Sequence, residues 1–512
     1  MSTHFNPPQS PPPGHAGTGS EDSSSTEPQM DQLVSDIKDY QLTHGNLLKL
    51  VRLEEATRIP SIGVGVSALP TPFPRRCFDE AWQLQRCMNE LYIRAAADEP
   101  WLYAILKPLI EHDSFLAALW SVHLEVKEAG AVQSVVCGIF RADYMLHQPV
   151  ASESVSLKQV ELNTFSAAGG CHAEHVAGMH RHFERVRVER NQTSLQDIGK
   201  LASPGNNINA IVSALAAAHR AYQPSSSKGY CILMVVQPLN FNVADERPIE
   251  YGLWDADIPC YRCEWQEVLS RTTLTVDRKL MYRPIGSSTE FEVSVVYYRA
   301  GYDAAEYDEQ GEETRLRLEL SRAINCPDVL THLTTFKAVQ QALTESAALE
   351  RFLTSADAGR VRSTFMPMYT LNSSPVRLHA RAIAMDAAQA VHYVLKPNLE
   401  GGGNNVYGSN IPGFLAGIPA EQWSQYILMR LIEPPKDTHG ELLTADELYQ
   451  GPVVSELGVF GAVMWRKKDG DGEVEILRNE AAGWTFKTKP ADTDEMSVVK
   501  GYGCFDCPRL TD

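Results

Sequence analysis

One stretch towards the C-terminal end of the chain combines residue types that suit the phosphates of a nucleotide. An apolar run at 393–395 ends in Lys396, and the chain continues through Glu400, Gly401, Gly402, Gly403, Asn404 and Asn405. Glycines without Cβ atoms let backbone N–H groups approach phosphate oxygens, and a lysine supplies a point charge for them. A carboxylate is a hard oxygen ligand for the Mg²⁺ that accompanies ATP. The alternative is a glycine-rich surface turn, but the combination favours a nucleotide site.

Glu161 and Asn163 form a second candidate group. They lie two residues apart in a run expected to be a strand, so both side chains face the same way. One carboxylate and one amide oxygen suit Mg²⁺; the alternative is a polar strand face. Arg141 and Arg299 each lie at the end of a strand-like run, where a guanidinium can bind a carboxylate or an acyl phosphate with two N–H groups. Glu456 lies on another such run and is a candidate to hold a ribose or a metal.

Composition and motifs argue against several other classes of function. The net charge of −18 disfavours a nucleic acid as main partner, because phosphate backbones require basic surfaces. No apolar run is long enough to span a membrane, and the N-terminus lacks an apolar signal region. The ten cysteines are not densely spaced, so we expect free thiols and a cytoplasmic protein. The Walker A and dinucleotide-binding glycine patterns are absent.

The periodicity of apolar residues predicts an α/β or α+β architecture. Residues 1–30, rich in Pro and Ser, are expected to form a disordered tail. A helix is predicted over 78–96, and Asn207 is expected to cap the helix that follows it. Strand-like runs occur at 132–140, 231–236, 293–298, 392–395, 426–431, 453–465 and 474–477. The last two are predicted to form a hairpin across a Gly/Asp turn at 468–472.

In their order along the chain, these clusters resemble the eukaryotic glutathione synthetases, a family of ATP-grasp ligases. The resemblance runs from about residue 31 to the C-terminus, and its most specific part is the Glu-Gly-Gly-Gly-Asn-Asn motif at 400–405. The other matching segments are 141–145, 160–164, 298–302, 326–328, 337, 339–341, 395–397, 407–408, 426–429, 455–458 and 488–489.

The resemblance implies an ATP-grasp fold in which the nucleotide is held between two antiparallel sheets. It also implies an inserted α/β substrate-binding domain and a lid. The expected division is an N-terminal part of the ATP-grasp body at 31–228, a substrate-binding domain at 229–334 and an ATP-grasp and lid region at 335–512.

The resemblance further assigns roles to single residues. It implies Mg²⁺ ligands at Glu161, Asn163 and Glu400, and catalytic roles for Arg141, Lys396 and Lys487. The residues implied to bind ATP are Glu161, Lys337, Lys396, Glu400, Gly401, Gly402, Gly403, Asn404, Asn405, Tyr407, Met429, Arg430, Leu431, Ile432, Glu456, Lys489 and Glu495. Those implied to bind the other substrates are Arg141, Phe165, Ser166, Ala167, Asn240, Asn242, Glu246, Arg299, Ala300, Gly301, Tyr302, Lys487, Val498 and Val499.

The implied reaction joins γ-glutamylcysteine to glycine at the expense of ATP, through an acyl phosphate, in a homodimer. A lid must then exclude water, because the intermediate would hydrolyse. The chain departs from the family pattern near its C-terminus. Lys487 replaces an arginine, and Val498 and Val499 fall where the lid meets the incoming amino acid, which predicts a narrower and stiffer lid. Further replacements are Glu246 for a glutamine and Arg430 for an acidic residue.

These departures leave the second amino acid open. Glycine is the first choice, and β-alanine or serine is the alternative; a catalytically weak protein that binds glutathione or nucleotide as a regulator is a third possibility.

Two other patterns suggest metal binding. His172 and His175 lie on a predicted helix, and Cys260 with Cys263 and Cys504 with Cys507 form separate C-x-x-C pairs. A helix face and structural thiols are the favoured interpretations, because the zinc-site spacings are absent.

Overall fold

The computed structural model describes residues 27–50, 60–149, 153–189, 194–203, 205–222, 229–238, 240–345, 347–372, 378–398, 404–444, 447–468 and 472–512. Its helices are α1 Glu27–Thr43, α2 Arg75–Ala97, α3 Glu99–Ile110, α4 Ser114–Ala129, α5 Gly170–Glu189, α6 Leu195–Lys200, α7 Asn207–Ala221, α8 Arg247–Asp255, α9 Val268–Arg271, α10 Glu309–Glu319, α11 Val329–Leu333, α12 Lys337–Leu343, α13 Ser355–Thr364, α14 Leu378–Met385, α15 Ala387–Ala390 and α16 Asn410–Ala416. Its strands are β1 Leu47–Lys49, β2 Ser61–Gly63, β3 Val66–Ser67, β4 Pro72–Pro74, β5 Val135–His147, β6 Ser156–Asn163, β7 Tyr230–Val236, β8 Cys260–Glu264, β9 Thr272–Leu274, β10 Leu280–Tyr282, β11 Phe291–Arg299, β12 Ile324–Cys326, β13 Met368–Thr370, β14 Tyr393–Pro397, β15 Val406–Tyr407, β16 Tyr426–Arg430, β17 His439–Leu443, β18 Leu448–Lys467, β19 Val474–Pro490, β20 Cys504–Phe505 and β21 Arg509–Thr511. The predicted mixed α/β class is confirmed.

A seven-stranded sheet in the order β17-β3-β20-β19-β18-β5-β6 forms the centre of the molecule. The long strands β18 and β19 are the predicted hairpin, paired from Val453 opposite Pro490 to Lys467 opposite Val474. The tip at 469–471 lies outside the described residues. Helix α2 packs on this hairpin, with buried residues at helical spacing that include Leu84, Met88 and Leu91. The sheet therefore joins strands from near both ends of the chain.

A second sheet has the order β8-β7-β11-β10-β9, with β12 also paired to β11. β7 runs parallel to β8 and β11, as expected when helices such as α8 connect consecutive strands. The central strand β7 is apolar along nearly its whole length, and every residue of it after Tyr230 is buried. All of these strands fall within the predicted segment 229–334.

The third sheet is small and antiparallel, in the order β13-β16-β14-β15. One face carries Leu395 and Leu428, which pack on α14 and α16, and the other carries Val394, Ile427 and Met429. This alternation is the period of two that a strand imposes. The second of these faces bears Met429, and Tyr407, Leu431 and Ile432 pack against it; all four were implied to bind ATP.

Three expectations about local structure differ from what is observed. Helix α1 begins at Glu27, inside the stretch predicted as a tail, while residues 1–26 lie outside the described residues. Asn207 does not cap α7: Asn206 holds that position, and the Asn207 side chain hydrogen-bonds the backbone of Gly170 and Trp484. Its bonds link α5 to β19, a long-range role that local spacing does not reveal.

The third difference concerns Arg141. It lies in the middle of β5, not at the end of a strand, because the strand continues to His147. Polar residues 141 and 143 are tolerated there because they pair with each other, the Ala168 carbonyl accepts from Arg141, and Asn163 of the neighbouring strand β6 donates to Asp143.

Candidate active site

The phosphate-binding candidates converge where three elements meet. Glu161 is on β6, Lys337 is the first residue of α12, and Lys396 is on β14 of the small sheet. The Lys337 Nζ lies 3.9 Å from a Glu161 carboxylate oxygen, and Lys396 Nζ donates to the Val160 carbonyl at 3.1 Å. Lys396 is only 6% exposed. Sequence positions more than 230 residues apart are thus brought into one cluster.

Electrostatics in this cluster favour ionised groups and an anionic ligand. Desolvation would raise the pKa of Glu161, but the charges of Lys337 and Lys396, followed by two further cations, lower it to about 2. Desolvation lowers the pKa of Lys396, and Glu161 opposes that shift. A cation in a poorly solvated site gains more electrostatic stabilisation from a bound anion than a cation exposed to water does.

The lowered pKa of Glu161 predicts a specific acid sensitivity. Because the folded-state pKa lies below the ordinary value of 4.5, the carboxylate contributes stability that is complete above about pH 4.5 and is lost as the pH falls through about 2. We expect the free energy of unfolding of the wild type to fall more steeply below pH 4.5 than that of Glu161→Gln. Denaturant titrations from pH 6 downwards measure this, and parallel curves would contradict it.

Arg141 is fixed by three hydrogen bonds. Its Nε and Nη2 donate to the two carboxylate oxygens of Asp143, each at 2.7 Å, and Nη1 donates to the Ala168 carbonyl at 2.6 Å. Asn163 lies opposite Arg141 on β6, and its amide nitrogen reaches Asp143 at 3.2 Å and Glu161 at 3.3 Å. Glu161 and Asn163 therefore do face the same way, as predicted.

The hairpin contributes a further pair of charges. Glu456 and Lys487 lie opposite each other on β18 and β19, with 2.5 Å between the carboxylate and the ammonium. Both are largely shielded from solvent, and desolvation raises the pKa of Glu456 while Lys487 opposes it. Lys489 donates to the carbonyls of Thr493 and Asp494, the latter at 2.8 Å, so it also holds the segment after β19.

A second polar cluster surrounds Arg299 at the end of β11. Its Nη2 donates to Asp245 at 2.9 Å, its Nη1 donates to the Ala167 carbonyl at 2.7 Å, and its Nε lies 3.6 Å from Glu246. Glu246 is also bound by Asn240 at 2.7 Å and by Arg262 at 2.8 Å. Buried cations and carboxylates alternate here, an arrangement that suits a zwitterionic amino-acid group.

The backbone after Arg299 is shaped by a glycine. Gly301 has φ +82°, and a Cβ there would lie 2.6 Å from the Trp265 ring. Ala300 is buried, and the Tyr302 hydroxyl donates to Gln237 at 2.8 Å. The turn therefore directs Tyr302 towards the same region as the Arg299 cluster.

One short loop between β6 and α5 joins the two clusters. The Ala168 carbonyl accepts from Arg141 and the Ala167 carbonyl accepts from Arg299. Phe165 anchors the loop, stacked at 3.6 Å on the ring of His332, and Ser166 turns it with φ +49°. A ligand bound along residues 165–168 would reach both arginines.

The small sheet supplies the apolar contacts. One apolar cluster, on the face of the sheet that carries Val394, includes Met429, Tyr407, Leu431 and Ile432. Arg430 is exposed, and its Nη2 lies 3.8 Å from a Glu433 carboxylate oxygen. Asn405 donates to the Tyr407 hydroxyl at 3.4 Å, and Asn404 is exposed. Glu400, Gly401, Gly402 and Gly403 lie outside the described residues, so their roles stay predictions.

Comparison with known proteins identifies the family. The family model described as eukaryotic glutathione synthase, ATP binding domain, matches residues 27–510. The chain belongs to the eukaryotic glutathione synthetases. It is accordingly an ATP-dependent ligase, as the sequence resemblance implied.

Individual glutathione synthetases are similar over nearly the whole chain. The glutathione synthetase large chain of Schizosaccharomyces pombe is 31% identical over 508 residues, covering 95% of this chain and 99% of that protein. The enzymes of Rattus norvegicus and Homo sapiens are 31% and 30% identical, each covering 94% of this chain and 97% of their own. The apo structure of GSS30, a glutathione synthetase-like effector of Globodera pallida, superposes with a TM-score of 0.69 at 21% identity, covering 95% of this chain and 97% of its own. That last likeness concerns the fold alone.

The C-terminal segment of this glutathione synthetase family member packs inward. Val498 belongs to a buried apolar cluster that also contains Val66, Val176 and Phe505, and Val499 packs against the same cluster. The Val498 side chain therefore packs into the body of the protein, and the predicted narrowing of the lid stays a prediction. Glu495, in the same segment, is half-buried. Contact of these residues with ligands stays a prediction.

The two metal-like patterns have structural explanations. The His172 ring is buried and hydrogen-bonded to Asn46 at 2.6 Å and to Asn242 at 2.9 Å, so it positions a predicted substrate residue. All ten cysteines are free thiols. In the part of the chain that the structure describes, no group of three or more His, Cys, Asp or Glu side chains is arranged to hold a metal. Among the same residues, no helix combines the length and apolarity needed to cross a bilayer.

Sequence reasoning missed three polar residues of these clusters. Asp143 was part of a noted motif but received no role, although its spacing of two from Arg141 on a strand signals a shared face. Asp245 caps the start of α5, accepting from the backbone of Gly169 at 2.8 Å and of Cys171 at 3.0 Å. Arg262 comes from β8, and no local pattern links it to Glu246.

Proposed function

We propose that this family member is a glutathione synthetase of ATP-grasp fold that joins γ-glutamylcysteine to glycine and converts ATP to ADP and phosphate. The observation that carries the proposal is the loop at 165–168, whose carbonyls bind Arg141 on one side and Arg299 on the other. A carboxylate held along this loop would lie beside the cluster of Lys337 and Lys396, where phosphoryl transfer would occur.

In the proposal, ATP lies between the small sheet and the large sheet. The apolar face around Met429 and Ile432 suits an adenine ring, and Glu456 on the facing sheet suits a ribose. Lys337 and Lys396 would bind phosphates, whose charge would offset the mutual repulsion of these lysines. The glycine-rich loop predicted at 401–403 would cover them.

The residues present fit Mg²⁺ bound with the nucleotide. Glu161 is held ionised by its cationic neighbours, and the Asn163 amide nitrogen faces two carboxylates, so its oxygen points away from them. These two oxygens, with the predicted Glu400, form a hard donor set that suits Mg²⁺ beside phosphate oxygens. When bound, Mg²⁺ would offset charge on the transferring phosphoryl group.

The dipeptide would bind through its charged groups. Arg299 and Glu246 suit the carboxylate and ammonium of the γ-glutamyl part, with Asn240, Asn242 and Tyr302 around it. Arg141 suits the cysteinyl carboxylate, one oxygen of which would attack the γ-phosphorus of ATP, so that the bond to the β,γ-bridging oxygen breaks, ADP leaves and the acyl phosphate forms.

The amine of glycine would then attack the acyl carbon, lose a proton and expel phosphate. No residue of the chain needs to form a covalent bond in this sequence. Lys487 would stabilise charge near the reacting centre, and the segment carrying Val498 and Val499 would close over it. We further propose that the protein is a cytoplasmic homodimer. We also propose that each chain has an N-terminal part of the ATP-grasp body at 31–228, a substrate-binding domain at 229–334 and an ATP-grasp and lid region at 335–512.

The proposal is tested by ADP release from the purified protein with Mg-ATP, γ-glutamylcysteine and one amine. We expect release to require both the dipeptide and glycine, with at least a tenfold preference over β-alanine and serine. Release that requires one of the other amines would overturn the choice of glycine. No release with any amine, despite ATP binding, would overturn the synthetase proposal.

A further inference from the structure

We propose that Asp143 is a positioning residue that couples the dipeptide site to the metal site by holding Arg141 and Asn163 at the same time. The inference rests on the proposed function, which gives those two residues their ligands. Asp143 itself is 1% exposed, so it contacts neither substrate nor metal.

The hydrogen bonds to Asp143 fix the orientation of the Arg141 guanidinium. Two N–H groups of the guanidinium bind the two carboxylate oxygens at 2.7 Å, and a third binds the Ala168 carbonyl. A bidentate pair fixes both the position and the plane of the guanidinium. The N–H groups that remain are presented in a fixed orientation beside the loop at 165–168.

The same carboxylate sets the orientation of Asn163. Its amide nitrogen donates to Asp143 at 3.2 Å and to Glu161 at 3.3 Å. An amide rotated by half a turn would place its oxygen against two carboxylates, which is repulsive. The oxygen is therefore held in the direction where a cation can use it, as partners behind a metal ligand generally do.

The neighbouring strand is shaped to admit this arrangement. Gly458 lies opposite Asp143 on β18, and a Cβ there would lie 2.5 Å from the Asp143 Oδ1, 2.7 Å from the Thr485 Cγ2 and 3.0 Å from the Arg141 Cδ. No side chain can occupy position 458 unless Asp143 and the Thr485 side chain move. This explains the glycine of the motif at 455–458 and provides a way to disturb the pair without removing a charge.

The experiment compares Asp143→Asn and Gly458→Ala with the control Glu184→Gln. Glu184 is also a buried carboxylate, ion-paired with Arg509 at 2.7 Å, but it lies near the C-terminal end of α5, away from both proposed sites. For each protein we would measure the KM for γ-glutamylcysteine and for ATP. Separately, Mn²⁺ binding in the presence of a non-hydrolysable ATP analogue would be followed by electron paramagnetic resonance.

We expect both test variants to raise the KM for the dipeptide and to weaken Mn²⁺ binding, each on the order of 10- to 100-fold, with a smaller change in the KM for ATP. The control should change none of these, although it lowers the melting temperature. A folded Asp143→Asn protein in which only one of the two sites is weakened would overturn the coupling.

Gly458→Ala and the Mn²⁺ measurement keep the test decisive if Asp143→Asn does not fold or if the wild type does not ligate the dipeptide. If Asp143→Asn does not fold, Gly458→Ala decides, and normal behaviour of that variant in both assays overturns the proposal. If the wild type does not ligate the dipeptide, the proposed function fails. Mn²⁺ binding then still decides whether Asp143 holds Asn163, since unchanged binding in Asp143→Asn rejects that part.

Discussion

Glu161→Gln will lower turnover on the order of 10²- to 10³-fold while the protein stays folded at neutral pH. The carboxylate is the anion at the centre of a group of cations and lies 3.9 Å from the Lys337 ammonium. Glutamine keeps the shape but removes the charge that would bind Mg²⁺. The effect should appear in turnover at saturating ATP and dipeptide, because Mg²⁺ acts on the charge that develops during phosphoryl transfer.

The control for this variant is Glu184→Gln. Glu184 is buried and ion-paired with Arg509 at 2.7 Å, and it lies near the C-terminal end of α5, away from both clusters. We expect it to lose stability and keep its turnover per folded molecule. Turnover of Glu161→Gln within threefold of the wild type would reject the assignment of this carboxylate to the metal.

Lys396→Met will lower kcat/KM for ATP on the order of 10²- to 10³-fold, with a melting temperature equal to or above that of the wild type. The ammonium is 6% exposed, and desolvation lowers its pKa. A lysine whose folded-state pKa is lowered destabilises the folded protein while it is charged, so methionine of similar length removes that cost. Its function is lost because the phosphates lose a buried cation.

Lys158→Met provides the matched control. Lys158 is on the same strand as Glu161 and also donates to a backbone carbonyl, that of Ser363, at 2.6 Å. We expect its kcat/KM to stay within a factor of about three of the wild type. The prediction for Lys396 fails if the variant binds ATP normally, or if its activity loss merely follows a loss of folded protein.

Local patterns predicted the elements of this fold well and their contacts poorly. The β18–β19 hairpin and the shared face of Glu161 and Asn163 follow from the strand period, which is a property of neighbouring residues. The partners of Arg299 could not be predicted in this way. Asp245 reaches Arg299 from the short turn at 243–245. Arg262 reaches the neighbouring Glu246 from the parallel strand β8, and parallel pairing depends on long crossover connections.

The family resemblance named most of the residues in the two clusters, but it did not show how they are held. Arg141 was predicted to lie at a strand end, yet β5 continues past it. The Arg141 guanidinium is instead held in place by its hydrogen bonds to Asp143. The direction of Val498 was also not predictable, because it begins a single 3₁₀ turn, Val498–Lys500, which is too short to show a period in the sequence. Its burial in one cluster with Val66 and Phe505 became visible only with the packed structure.

The measurement that tests the central claim most directly uses γ-glutamylcysteine whose cysteinyl carboxylate carries ¹⁸O at both oxygens. After turnover with Mg-ATP and glycine, the phosphate released is analysed by mass. If the carboxylate attacks ATP and the amine then expels phosphate, each phosphate carries one ¹⁸O and the new amide retains the other. Phosphate without ¹⁸O, formed together with ADP, would show that ATP is hydrolysed without activating the dipeptide and would contradict the account.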